Sequence, residues 1–191
     1  MSLLDIQVLG SPILRKETAP VKKIDDELQQ LIDAMFETMY AARGIGLAAP
    51  QVGRTERLAV IDVDRERPLV LINPEIVVAD GGTAKAEEGC LSIPEIYGEV
   101  ERPAHVVVRA LDRNGEPFEV EATELLARCL QHEIDHLHGK LFIDYLSTLK
   151  KKAALSAWDE LKGAYPQLLR TVRPGENGAA DDDEAPDDEN L

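Results

Sequence analysis

Residues 105–139 read HVVVRALDRNGEPFEVEATELLARCLQHEIDHLHG, and this stretch decides the fold. Residues 105–111 and 117–121 are strand-like runs flanking Asp112-Arg113-Asn114-Gly115. An Asn-Gly pair between two such runs predicts a hairpin, because the tight turn needs residues that tolerate positive φ. Residues 123–138 then read as a helix, closed by Gly139. Upstream, residues 58–63 and 69–72 predict short strands rich in Val and Ile. Residues 76–79 continue that pattern, and Gly81-Gly82 is expected to end it.

Further out, residues 26–43 predict an amphipathic helix, with Leu28, Leu31, Ile32, Met35, Phe36, Met39 and Tyr40 at three- and four-residue spacing. Asp26 is the expected N-cap, with Gln29 three residues on, and Gly44 the expected stop. A last helix is expected over residues 147–162, stopping before Pro166. Strands that follow one another without intervening helices favour an α+β fold over a doubly wound parallel sheet. The expectation is antiparallel or mixed sheets packed around the helix that carries residues 132–136, with one helix before the sheet and one after. A chain of 191 residues predicts one domain, placed at 1–165.

Composition narrows the classes. Aromatics are only 4%, so the core must be built from Leu, Ile, Val and Ala. Eight of the 36 acidic residues and none of the 21 basic ones fall in 174–191, which leaves −7 of the net −15 on the rest of the chain. An acidic body argues against a broad DNA-binding surface, since phosphate binding needs clustered Lys and Arg. The Gly-, Ala- and Asp-rich tail is expected to be disordered. No run approaches 18 apolar residues, so no membrane span is expected. The N-terminus Met1-Ser2-Leu3-Leu4-Asp5 has no secretory pattern, so the two cysteines, Cys90 and Cys129, read as metal ligand or buried thiol rather than a disulfide.

The chemistry-bearing group is His132-Glu133-Ile134-Asp135-His136. Four residues advance a helix by about 400°, so the two imidazoles stand about 40° apart on one face, with Glu133 beside it. This is the H-E-x-x-H arrangement of metallohydrolases. A catalytic site of this kind needs a third protein ligand. A His at position 142 would serve, but Phe142 stands there. Glu160 on a later helix and Cys90 in Glu88-Gly89-Cys90-Leu91-Ser92 both remain open. Cys129, three residues before His132, is either a fourth ligand or a core thiol. His138 reads as a surface residue, and Asp135 and Gln131 as partners of the metal ligands. The segment 44–53 is no phosphate loop, because it lacks the Lys-Ser/Thr ending and the G-x-G-x-x-G spacing.

Three segments together resemble the signature motifs of the peptide deformylase family, in the same order. They are Gly44-Ile45-Gly46-Leu47-Ala48-Ala49-Pro50-Gln51-Val52-Gly53, Glu88-Gly89-Cys90-Leu91-Ser92 and Gln131-His132-Glu133-Ile134-Asp135-His136. The similarity runs to about residue 165. It implies a hydrolase of N-terminal processing in protein biosynthesis, which releases formate from N-formylmethionyl peptides. It implies that Cys90, His132 and His136 hold one Fe²⁺, with water as fourth ligand, and that Zn²⁺, Ni²⁺ or Co²⁺ can replace the iron. Glu133 is implied as general base, with the Gln51 amide and the Leu91 N–H as oxyanion donors. Ile45, Gly46 and Gly89 are implied along the peptide, and Leu125 and Cys129 around its methionine side chain.

The resemblance admits organelles as well as bacteria; with no Arg- and Ser-rich leader in view a bacterial cytoplasm is the expectation, with transient ribosome contact as a candidate partner. The acidic tail would repel ribosomal RNA, so docking through the tail is not expected. Two readings of other classes stand beside it. A metallo-endopeptidase would use His132, His136 and Glu160. A structural zinc module would close its site with Cys129 or His138.

Overall fold

The structure, a computed structural model, describes residues 3–173. Helix α1 (Asp26–Ala41) forms because Leu28, Leu31, Ile32, Met35 and Met39 recur on one face, and all are buried. Its cap is Asp25, one residue earlier than expected: the Asp25 carboxylate accepts from the Leu28 N–H at 3.2 Å. That places Leu28, not Gln29, at the third helical position, so no capping box forms. The Gln29 side chain instead bonds Arg113 twice and ties α1 to the hairpin turn. At the other end the left-handed residue is Arg43, at φ 58°, rather than Gly44. The Arg43 and Gly44 N–H groups return to the carbonyls of Tyr40 and Met39.

Strands β2 (Gly46–Ala48), β3 (Leu58–Ile61), β4 (Leu69–Cys90), β5 (Ile93–Leu111) and β6 (Pro117–Thr123) form one antiparallel sheet in sequence order. With the helices this is the expected α+β architecture. The separate strands expected at 69–72 and 76–79 are one strand of 22 residues. Asn73 at φ 52° and Gly81-Gly82 at φ 71° and 75° shift the register without ending the pairing. Glycine here bends the strand; it does not stop it. Residues 83–88, polar and weak in β propensity, are held in the ladder by pairing with 98–103.

Helix α2 (Glu124–Leu137) packs Ala127, Cys129, Leu130 and Ile134 against Ile61, Leu71, Val106, Val108 and Ala110 of the sheet. A second cluster gathers Val8, Leu14, Ile93, Val100 and Phe142 under Ala154 and Trp158 of α3 (Thr148–Leu161), which Ser147 caps. Past residue 165, β7 (Leu169–Arg170) pairs antiparallel with β1 (Ile6–Gln7). Among the described residues no helix is long and apolar enough to cross a membrane. The acidic tail lies outside the described residues.

The end of α2 is set by Gly139, at φ 67°, with the Lys140 N–H returning to the Asp135 carbonyl at 2.9 Å. A Cβ on Gly139 would stand 2.6 Å from the Arg15 carbonyl oxygen. Gly139→Ala is therefore expected to destabilise by more than about 1 kcal/mol, from the left-handed backbone and the clash together. Urea unfolding with an unchanged m-value checks this; equal stability would mean that the turn relaxes freely.

Candidate active site

Two rigid elements meet at the site. Strand β4 ends at Cys90, and α2 presents His132 and His136 one turn apart. The donor atoms of these three residues all lie within 4.8 Å of one another, a spacing one ion can bridge. Cys90 Sγ is 3.3 Å from His136 Nε2. His132 turns its Nδ1 to Glu88 Oε2 at 3.0 Å, which leaves Nε2 for the shared centre. Its ring stacks on Phe142, so the residue that replaces a histidine at 142 packs behind the site instead. The donor set, one thiol and two imidazoles, suits a first-row divalent ion. Burial holds His136 well below the usual imidazole range, whereas at His132 burial is outweighed by the hydrogen bonds to Cys90 and Glu88, which raise it. Neutral imidazole is the form a metal binds. The His136 Nδ1 and Glu133 Oε2 atoms are buried without a hydrogen-bond partner among the described residues.

Glu133 is buried beside the histidines. Burial pushes its carboxyl up to about 7, against the pull of His132. Gly46 makes room for it: a Cβ there would overlap the Glu133 carboxylate and come within 2.9 Å of Cys129 Sγ. Gln51 is fully buried, and its amide orientation is determined. Oε1 accepts from the Ala48 N–H at 2.8 Å, so Nε2 must face Ser92 Oγ at 3.1 Å and Cys90 Sγ at 3.5 Å.

A cavity of about 580 Å³ opens onto this group. Ile45, Gly46, Gln51, Gly89, Cys90, Leu91, Leu125, Cys129, His132 and Glu133 all line it, and His136 lies just behind, buried. Cys129 is outside the donor cluster; its Sγ faces the Ile45 carbonyl at 3.7 Å, and burial raises its thiol well above the usual range. Glu160 is exposed on α3 and lines no part of the cavity. His138 is exposed and pairs with Glu17, while His105 sits between Asp80 and Glu121.

Sequence reasoning missed the residue behind His132. Glu88 and Arg102 side chains are each only 4% exposed, and Arg102 Nε and Nη2 grip the Glu88 carboxylate at 2.6 and 3.0 Å. Arg128 adds a third contact to Glu88 at 2.7 Å. Asp135, expected to touch a ligand, connects to His132 through Arg102, which it binds at 2.8 Å, and then Glu88; Tyr145 holds its other oxygen. Gln131 bonds the Pro103 and Ala127 carbonyls and no ligand. The one signal in the sequence was proximity, since Glu88 stands two residues before Cys90 in the same motif; the strand that carries both is irregular between them.

On this α+β scaffold an H-E-x-x-H helix, a facing cysteine and a buried carboxyl meet at one cavity, the arrangement a hydrolase centre needs. The chain matches the polypeptide deformylase family over residues 3–152. It is 56% identical over 155 residues to a peptide deformylase of Alkalilimnicola ehrlichii, a match that covers 80% of this chain and 86% of that protein. The crystal structure of a peptide deformylase from Legionella pneumophila superposes with a TM-score of 0.82 at 50% identity, covering 85% of this chain and 97% of that one. The enzyme from Synechococcus elongatus in complex with actinonin gives 0.79 at 47% identity, covering 91% and 94%. The chain belongs to the polypeptide deformylase family. Peptide deformylase is a hydrolase that removes the formyl group from peptides.

Burial alone would raise the Glu88 carboxyl, but hydrogen bonds from His132 and Arg102 outweigh it and bring it from 4.5 down to about 2. The folded state therefore binds this proton more weakly than the unfolded chain. The resulting stabilisation is complete above about pH 4.5 and is lost as pH falls towards 2. Glu88→Gln should flatten that part of the stability–pH curve. Glu88→Ala should destabilise by about 3–5 kcal/mol at neutral pH, because it strands the buried Arg102 guanidinium. Urea titrations from pH 2 to 7 check both, and parallel curves for wild type and Glu88→Gln would refute the linkage.

Proposed function

We propose that this deformylase acts on N-formylmethionyl peptides through one metal ion, Fe²⁺ by the family's pattern, held by Cys90, His132 and His136. What supports the reading is the meeting of those three donors with the buried Glu133 carboxyl and the oriented Gln51 amide in one cavity. The thiol and imidazoles also accept Zn²⁺, Ni²⁺ or Co²⁺. When bound, the ion supplies Lewis-acid polarisation of the formyl oxygen and lowers the pKa of water at the site.

The chain's own residues do the rest. Glu133 accepts a proton from the attacking water and returns it to the departing amine nitrogen, so formate and a free N-terminus result. Burial raises the Glu133 carboxyl and so favours its holding the proton between the two transfers. The Gln51 Nε2 and Leu91 backbone N–H donate to the oxygen that gains charge as the carbon becomes tetrahedral. Ile45, Gly46 and Gly89 lie along the extended peptide. Leu125 and Cys129 enclose the methionine side chain, and the raised pKa of Cys129 keeps it an apolar thiol. The substrate proposed is the formylated nascent chain, in a bacterial cytoplasmic setting.

Glu133→Gln should lower kcat/KM for a formyl-Met tripeptide by at least about 10²-fold while retaining bound metal. Cys90→Ala should lose the metal as well as the activity. Formate release and elemental analysis on protein purified without oxygen check both. Full activity of Glu133→Gln, or a full equivalent of metal on Cys90→Ala, would contradict these roles. Gly46→Ala should also abolish activity, because the added methyl displaces the Glu133 carboxylate.

A further inference from the structure

Arg170 lies beyond residues 3–152, the span of the family match, yet it lines the active-site cavity together with Tyr165. Backbone pairing fixes its place. Arg170 stands opposite Ile6 in the β1–β7 ladder, and the Val8 N–H donates to the Leu168 carbonyl at 3.0 Å. The residue is half-buried, and its guanidinium makes one long hydrogen bond, from Nη1 to the Leu91 carbonyl at 3.4 Å. A guanidinium carries five N–H donors. Among the described residues no carboxylate lies within ion-pair distance of Arg170. Arg128, also on the cavity wall, is committed to Glu88 and to the Val100 and Ala84 carbonyls.

We infer that Arg170 is a specificity-determining residue, which takes a carboxylate carried by the peptide substrate beyond its formylmethionine. A cation with unused donors, half-withdrawn from water on the wall of a peptide-binding cavity, attracts a carboxylate and can hold it with two parallel hydrogen bonds. Glu87 and Glu95 also line the cavity, and Glu95 and Arg170 both act on Tyr165, so Arg170 draws an anion there against the opposition of Glu95. The preference is expected only at the substrate position that reaches Arg170. The carboxylate has two sources, an Asp or Glu side chain and the free C-terminus of a short peptide. The inference rests on the deformylase reading of the cavity.

The test uses the full, metal-loaded chain and measures kcat/KM by formate release. The parent substrate is formyl-Met-Ala-Ala-Ala amide, compared with peptides carrying Asp or Asn at the second, third or fourth position and with the free acid of the parent. At one position Asp should exceed Asn by about three- to fivefold, the size of a partly exposed ion pair, and the ratio should shrink as salt is raised. An advantage of the free acid over the amide, with Asp equal to Asn, would assign the contact to the terminal carboxylate and support the inference in that form. Arg170→Gln should bring the ratio to about one, Arg170→Lys should retain part of it, and Arg170→Glu should invert it. Arg109→Gln, on the exposed sheet and outside the cavity, should leave the ratio as it is. A merely structural role for Arg170 would slow all peptides together and leave the ratio intact in Arg170→Gln, which would overturn the inference. So would ratios of one throughout the wild-type series in an enzyme that still releases formate. No formate from any peptide would overturn the deformylase reading itself.

Discussion

The architecture of the site depends on one buried carboxylate. Glu88, near the end of β4, accepts from Arg102 on β5 and from His132 and Arg128 on α2. Two consecutive strands and the later helix α2 are thereby joined by a single charged group. Removing such a charge from water costs several kcal/mol, and only complete pairing offsets it. Here the pairing is complete, and Arg102 extends it to Asp135 and Tyr145. The contact on His132 Nδ1 also selects which ring nitrogen faces Cys90. The network that closes the sheet onto the helix is thus the one that aims an imidazole.

The rest of the centre is built by exclusion of alternatives. Gln51 cannot flip, because Ala48 claims its oxygen. Glu133 packs directly against Gly46, where there is no room for a side chain. Cys90 closes a strand, while both histidines sit on a helix that is packed along its length by Leu130 and Ile134. Groups placed on strands and helices keep their geometry better than groups on loops. In the proposed mechanism this preorganisation means that donors and base need little rearrangement as charge develops.

Much of this was legible in the sequence. The Asn114-Gly115 hairpin, the helix behind it and the H-E-x-x-H face follow from short-range rules that act within a few residues. Three motifs pointed to the residues that the fold brings to one cavity. What was hidden depends on tertiary pairing. Residues 83–88 lack strand propensity and become strand because 98–103 pair with them. Arg102 carries no local signal, since its partner Glu88 is fourteen residues away across the β4–β5 turn. Asp25 displaced Asp26 as the cap because a one-residue shift at a helix end is settled by backbone dihedrals, which composition does not reveal. Arg170 reaches the cavity only because a two-residue strand pairs with the N-terminus.

The measurement that bears most directly on the account is X-ray absorption at the metal edge of the zinc-loaded protein. One sulfur at about 2.3 Å and two imidazole nitrogens at about 2.0–2.1 Å, with a light atom completing the shell, is the predicted result. A shell with no sulfur would remove Cys90 from the centre, and a shell with two would bring in Cys129 and close the site. Either would contradict the assignment of Cys90, His132 and His136 as its three protein ligands.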